Sequence, residues 1–142
     1  MNYHEKELVY NFIIKRKRDR YLQFLNNPKN RRKFLRELGH FKDFKDNSII
    51  YIPKNQQNED EIVKRLIKLG SNKECYIISE DSNIDATYMP LILAIKHVLG
   101  TGMGTIISCI PGKLAYYEGE DERLILKTPK LQNNKSKVYY NK

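Results

Sequence analysis

The sequence predicts an α/β protein: two N-terminal helices, then a small βαβαβββ sheet domain with parallel and antiparallel strands. An α+β arrangement of antiparallel strands is the alternative. Three observations carry this expectation. Apolar residues recur at helical spacing as far as Leu38. From Ser48 onward, β-branched runs alternate with helical ones. Near the end, "TIISCIP", "LAYYEGE" and "RLILK" follow one another with only turn-forming residues between them. A chain of 142 residues suits a single domain. Within it, 1–45 reads as a basic helical pair, 46–128 as the α/β body, and 129–142 as a basic tail expected to be mobile.

The first helix is expected over 4–26, with Leu8, Phe12, Tyr21, Leu22 and Leu25 marking its apolar positions. Asn27 is placed to cap a second helix. Pro28 sits in its first position, where the missing N–H costs nothing, and Gly39 is a stop. Phe34, Leu35 and Leu38 give that helix a narrow apolar face, and Phe41 and Phe44 would pin the exit chain to the core. "SIIYIP" reads as a short strand. "NEDEIVKRLIKLG" reads as a helix capped by Asn58, with Glu61 completing a capping box and Gly70 closing it. "ECYIIS" is apolar on both faces, the pattern of a central parallel strand. "ATYMPLILAIKHVLG" predicts a buried helix capped by Thr87, with Pro90 in its first turn. The remaining strands form an antiparallel meander.

Hydrophobic residues make up 40% and charged residues 30%, the balance of a soluble globular chain. No run of about 18 apolar residues is present, so no membrane span is expected. Carboxylates near the start stand where an export signal needs basic residues, so a cytoplasmic location is expected. Cys75 and Cys109 each lie in an apolar run, lack a CxxC partner, and read as buried thiols in a reducing compartment. His4, His40 and His97 show no metal-ligand spacing.

The net charge of +9 is segregated. Residues 1–45 carry +8 (13 basic, 5 acidic), 46–128 carry −3 (9 basic, 12 acidic) and 129–142 carry +4. Concentrated like charge builds a field that dispersed charge does not. "KRKRDR" would encircle a regular helix, since six residues at 100° each sweep about 600°. "NRRKFLREL" places cations in the first turns of the second helix, where the helix dipole disfavours them unless an anion is bound. Lys15, Arg16, Lys17, Arg18, Arg20, Arg31, Arg32, Lys33 and Arg36 are therefore the candidate contacts for nucleic acid or another polyanion.

Other motifs say less. "GTGMGT" follows a helix and opens a strand, the reverse of a phosphate loop. Tyr116 and Tyr117 would point to opposite faces of a strand and read as half-buried. "SEDSNID" supplies Glu80, Asp81 and Asp85. These hard oxygen donors would hold Mg²⁺ or Mn²⁺ if the chain were a phosphate-ester hydrolase with this loop at the carboxyl end of a parallel strand. A non-catalytic module docking an acidic protein partner is the third class. The leading expectation is polyanion binding through the N-terminal helices, with activity and oligomeric state left open.

Overall fold

Six strands form one sheet in the computed structural model, which describes residues 1–129. They are β1 (Ile49–Tyr51), β2 (Glu74–Ser79), β3 (Tyr88–Pro90), β4 (Thr105–Ile110), β5 (Leu114–Glu118) and β6 (Arg123–Lys127). Their order is β1-β6-β5-β4-β2-β3, and every neighbouring pair is antiparallel. Five α-helices lie wholly within the described residues: α1 (Tyr3–Phe12), α2 (Arg18–Asn26), α3 (Pro28–Glu37), α4 (Glu59–Lys68) and α5 (Leu91–Val98).

Period-2 alternation divides the side chains of the sheet between two cores. Tyr76, Ile78, Ile106, Ala115, Tyr117, Leu124 and Leu126 join a cluster with Leu8, Val9, Phe12, Phe34, Leu38, Phe41 and Phe44. The intervening residues, among them Ile77, Ile107, Tyr116 and Ile125, join a second cluster with Ile62 and Leu66 of α4 and Leu91, Ala94 and Ile95 of α5. The result is a sheet between two helical layers, α1–α3 on one face and α4–α5 on the other. Each fully buried Leu, Ile or Phe contributes about 1.5–3 kcal/mol, so both layers are needed.

The mixed α/β class is as expected, but the parallel βαβαβ start is not. β2 is apolar on both faces because helices cover it twice, and that cause leaves the same pattern in an antiparallel strand as in a parallel one. After β1 the chain crosses three strands by way of α4 to reach β2. After β2 it turns back at the edge as β3, and α5 returns it to β4.

Two predicted helices are also corrected. The expected helix over 4–26 breaks after Phe12. Ile13, fully buried, forms an isolated bridge with Phe44, and the flanking backbone bonds run from Ile14 N to Asp43 O (2.9 Å) and from Lys45 N to Phe12 O (2.8 Å). Lys15–Lys17 then make one tight turn before α2. The expected helix over 86–100 is shortened to Leu91–Val98, because Tyr88 pairs with Tyr76 at the sheet edge and Pro90 stands at the N-cap. The Thr87 hydroxyl donates to Ile84 O (2.6 Å) instead of capping. α5 is not wholly buried either: Ile92 and Leu93 are 60% and 44% exposed. Tyr116 and Tyr117 do take opposite faces, but both are fully buried. Beyond Pro129, the expectation of a mobile tail lies outside the described residues.

The Gly-rich connector serves close packing. The backbone turn Leu38–His40 lies against the end of the sheet, where a Cβ on Gly104 would stand 2.3 Å from the carbonyl carbon of Leu38. Gly104→Ala is expected to destabilise the fold by about 1–3 kcal/mol, because backbone cannot rotate away as a side chain can. Chemical denaturation of wild type and variant measures the difference.

Candidate polyanion-binding site

α3 carries the centre of the basic surface. The side chain of Asn27 accepts from Lys29 N (2.9 Å) and Pro28 opens the helix, as the sequence predicts. Phe34 faces the core. At 100° per residue, Lys29, Arg32, Lys33 and Arg36 share an arc of about 100° on the opposite side. All four are exposed, and none has an ion pair or hydrogen bond from its side chain among the described residues.

α2 packs beside α3 in the opposite direction. Tyr21 meets Phe34, and Arg20 Nη2 reaches Glu37 Oε1 at 3.0 Å. The guanidinium of Arg20 and the ammonium of Lys33 both lie over the Phe24 ring, at 5.3 and 5.8 Å from its centre. These shared contacts bring the outer faces of the two helices together. The antiparallel pairing sets the exposed Lys15 and Arg16, with the half-buried Lys17, at the end of α3 that carries Arg36. Arg18 is partly withdrawn: its guanidinium lies 5.6 Å from the Tyr10 ring centre and donates to Tyr10 O (3.0 Å).

Arg31 belongs inside. Its Nε and Nη2 donate to the two oxygens of Asp85, both at 2.9 Å, and its Nη1 donates to Glu5 Oε2 at 2.8 Å. Glu5 is buried on α1 and also accepts from the Tyr76 hydroxyl (2.6 Å). Asp85 Oδ1 accepts from Ser79 N (3.0 Å). Burial pulls the Arg31 pKa down, but the Asp85 hydrogen bonds and the Glu5 and Asp85 charges outweigh it and leave it raised. Burial first, then Glu5, pushes the Tyr76 hydroxyl well above the usual tyrosine range. Arg31 is a structural clamp joining α1, α3, β2 and the 79–85 loop. Arg31 is thus paired internally, whereas Arg20 makes one ion pair with Glu37 and stays half-exposed.

The acidic loop does meet the basic helix. A cleft of about 340 Å³ lies between them, with Pro28, Arg32, Leu35 and Arg36 on one wall and Glu80 and Ser82 on the other, above the Arg31–Asp85 pair. The three candidate metal ligands are not gathered around one point in it. Glu80 Oε1 accepts from Gly104 N (2.8 Å), Asp81 Oδ1 accepts from Asn83 N (3.0 Å), and both Asp85 oxygens bind Arg31. Among the described residues, no group of three or more His, Cys, Asp or Glu is placed to hold a metal ion.

No protein-family model, curated protein or solved structure matches this chain. The site is therefore read from its own chemistry. Two of its features escaped the sequence reading. Lys29 completes the α3 stripe, and helical phase alone would have included it. Glu5 lies three, four and seven residues before Leu8, Val9 and Phe12, so it shares their buried stripe; a carboxylate there calls for a cationic partner.

Arg31→Met leaves Glu5 buried without its cation and is expected to cost about 3 kcal/mol or more in denaturant unfolding. A second outcome concerns His4, whose Nδ1 lies 2.7 Å from Ser108 Oγ and whose ring stacks on Tyr76. Burial lowers its pKa below 6.5 against the opposing pull of Glu5. Unfolded chain then takes up a proton that the folded chain refuses. The His4 contribution to stability is complete above pH 6.5 and is lost as pH falls toward the folded pKa. Thermal unfolding across this range should show the slope in wild type and a weaker one in His4→Gln.

Proposed function

We propose that this protein binds nucleic acid through the outer face of α2 and α3 and the turn before α2. The observation that carries the reading is the α3 stripe. Lys29, Arg32, Lys33 and Arg36 stand on one exposed arc with no ion pair or side-chain hydrogen bond among the described residues, while Arg31 on the same helix is neutralised. A helix that pairs its inward arginine and leaves its outward cations open offers positive charge to solvent in one place. Lys15, Arg16 and Lys17 extend the charge toward the Arg36 end. Phosphates are the matching partner, since closely spaced cations gain most from a ligand that is itself a regular row of anions. The cleft beside Arg32 and Arg36 provides a recessed edge to this surface.

The hydrolase reading draws less support, because each carboxylate of the acidic loop already accepts a hydrogen bond from the protein. An acidic protein partner would engage the same cations and is separated from nucleic acid by the form of the salt dependence.

Binding of a fluorescent oligonucleotide, followed by anisotropy at several salt concentrations, is expected to give a log–log slope of about −4. The Arg32→Ala, Lys33→Ala, Arg36→Ala triple variant should reduce that slope by about 2 to 3 units. A Lys64→Ala, Lys68→Ala control on the opposite helical layer should leave it unchanged. A flat slope, or equal slopes for wild type and triple variant, overturns the proposal.

A further inference from the structure

The α4–α5 side of the sheet holds a second chemical feature, independent of the basic surface. Cys75 on β2 and Cys109 on β4 are both fully buried and both free. The β2–β4 register pairs Tyr76 with Ser108 and Ile77 with Ile107, so one further step sets Cys75 opposite Cys109. Their side chains share one core cluster.

The position is also the right kind. Ile77 directs its N–H and C=O toward the β3 side, bonding Thr87 O (2.9 Å) and receiving Ala86 N (2.8 Å). Ile77–Ile107 is therefore a non-hydrogen-bonded pair with respect to β4, and so is Cys75–Cys109, two residues along. Such pairs bring Cα atoms to about 4.5 Å, inside the span a disulfide requires. Cys109 also lies at the irregularity between Ser108 and Ile110 in the β4–β5 pairing, where the strand has slack to adjust.

The geometry points to a cross-strand dithiol that a hydroperoxide converts to an intramolecular Cys75–Cys109 disulfide. The roles of the two sulfurs are distinguishable. The neighbouring Cys109 and the Ser71 hydroxyl lower the Cys75 pKa, whereas the neighbouring Cys75 and burial push Cys109 well up. Cys75 is thus the attacking thiolate. It also lies nearer to solvent, since its sulfur stands 3.9 Å from the hydroxyl of half-buried Ser71 in the turn after α4. In the first step the Cys75 sulfur attacks the outer oxygen of the hydroperoxide. The O–O bond breaks, an alcohol or water leaves with a proton, and Cys75 becomes a sulfenic acid. In the second, the Cys109 sulfur displaces that hydroxyl, which departs as water with the Cys109 proton. The two thiols lose two electrons and the peroxide gains them.

The test treats the folded, full-length chain with hydrogen peroxide and measures intact mass and free thiols in denaturant. The expected result is a monomer lighter by two hydrogens, with both thiols lost together and both restored by dithiothreitol. Cys109→Ala should stop at a sulfenic acid on Cys75 that dimedone traps, and Cys75→Ala should leave Cys109 unreacted. Thiols that persist in the folded wild type, added oxygen in place of lost hydrogen, or disulfides only between chains would each overturn the inference. The wild-type measurement decides even if a variant fails to fold.

Discussion

The sheet of this protein is apolar on both faces, and that constraint organises everything else. β2, β4 and β5 bury nearly every side chain they carry, so one helical layer would leave half of those residues in water. The chain answers with α1–α3 on one side and α4–α5 on the other. The order of the strands follows the same need. Crossing the sheet by way of α4 carries the chain to the far side and lays the second helical layer across the face that the N-terminal helices leave bare.

The charge segregation follows from how the first layer is attached. α1 and α3 must lie on an apolar surface, and α3 also carries five basic residues. The buried Glu5–Arg31–Asp85 cluster joins both helices to β2 and the loop after it, and satisfies the one α3 arginine that points inward. With that group neutralised, the remaining cations of the helix are turned outward together. The break after Phe12 has a similar effect on "KRKRDR". Ending α1 there lets Ile13 enter the core, and Lys15–Lys17 pass into a turn with no buried residue while Arg18–Arg20 open α2.

Much of this was legible in the residues themselves. The capped starts of α3 and α4 could be read directly, because the side chains of Asn27 and Asn58 accept from backbone N–H groups two and three positions on, and Pro28 opens α3. The terminal meander was equally local, its turns being short and marked by glycine. The basic character of the N-terminal third also needed no tertiary knowledge, and helical phase alone groups Lys29, Arg32, Lys33 and Arg36 on one arc. Strand direction was beyond reach, because burial on both faces writes one apolar pattern whichever way the neighbours run. The long first helix was misread for a related reason: the break at Ile13 is held by a bridge to Phe44, far along the chain.

The sequence by itself determined where α3 and α4 begin, which turns close the meander, and where positive charge is concentrated, since each depends on residues close together in the chain. Only the tertiary structure decided that Arg31 is a clamp while Arg32 and Arg36 remain open, that Asp85 faces an arginine, and that Cys75 lies opposite Cys109. Those pairings join residues far apart in the chain, and burial of the same apolar runs would have been satisfied by several registers. The register adopted sets which polar groups and which thiols meet.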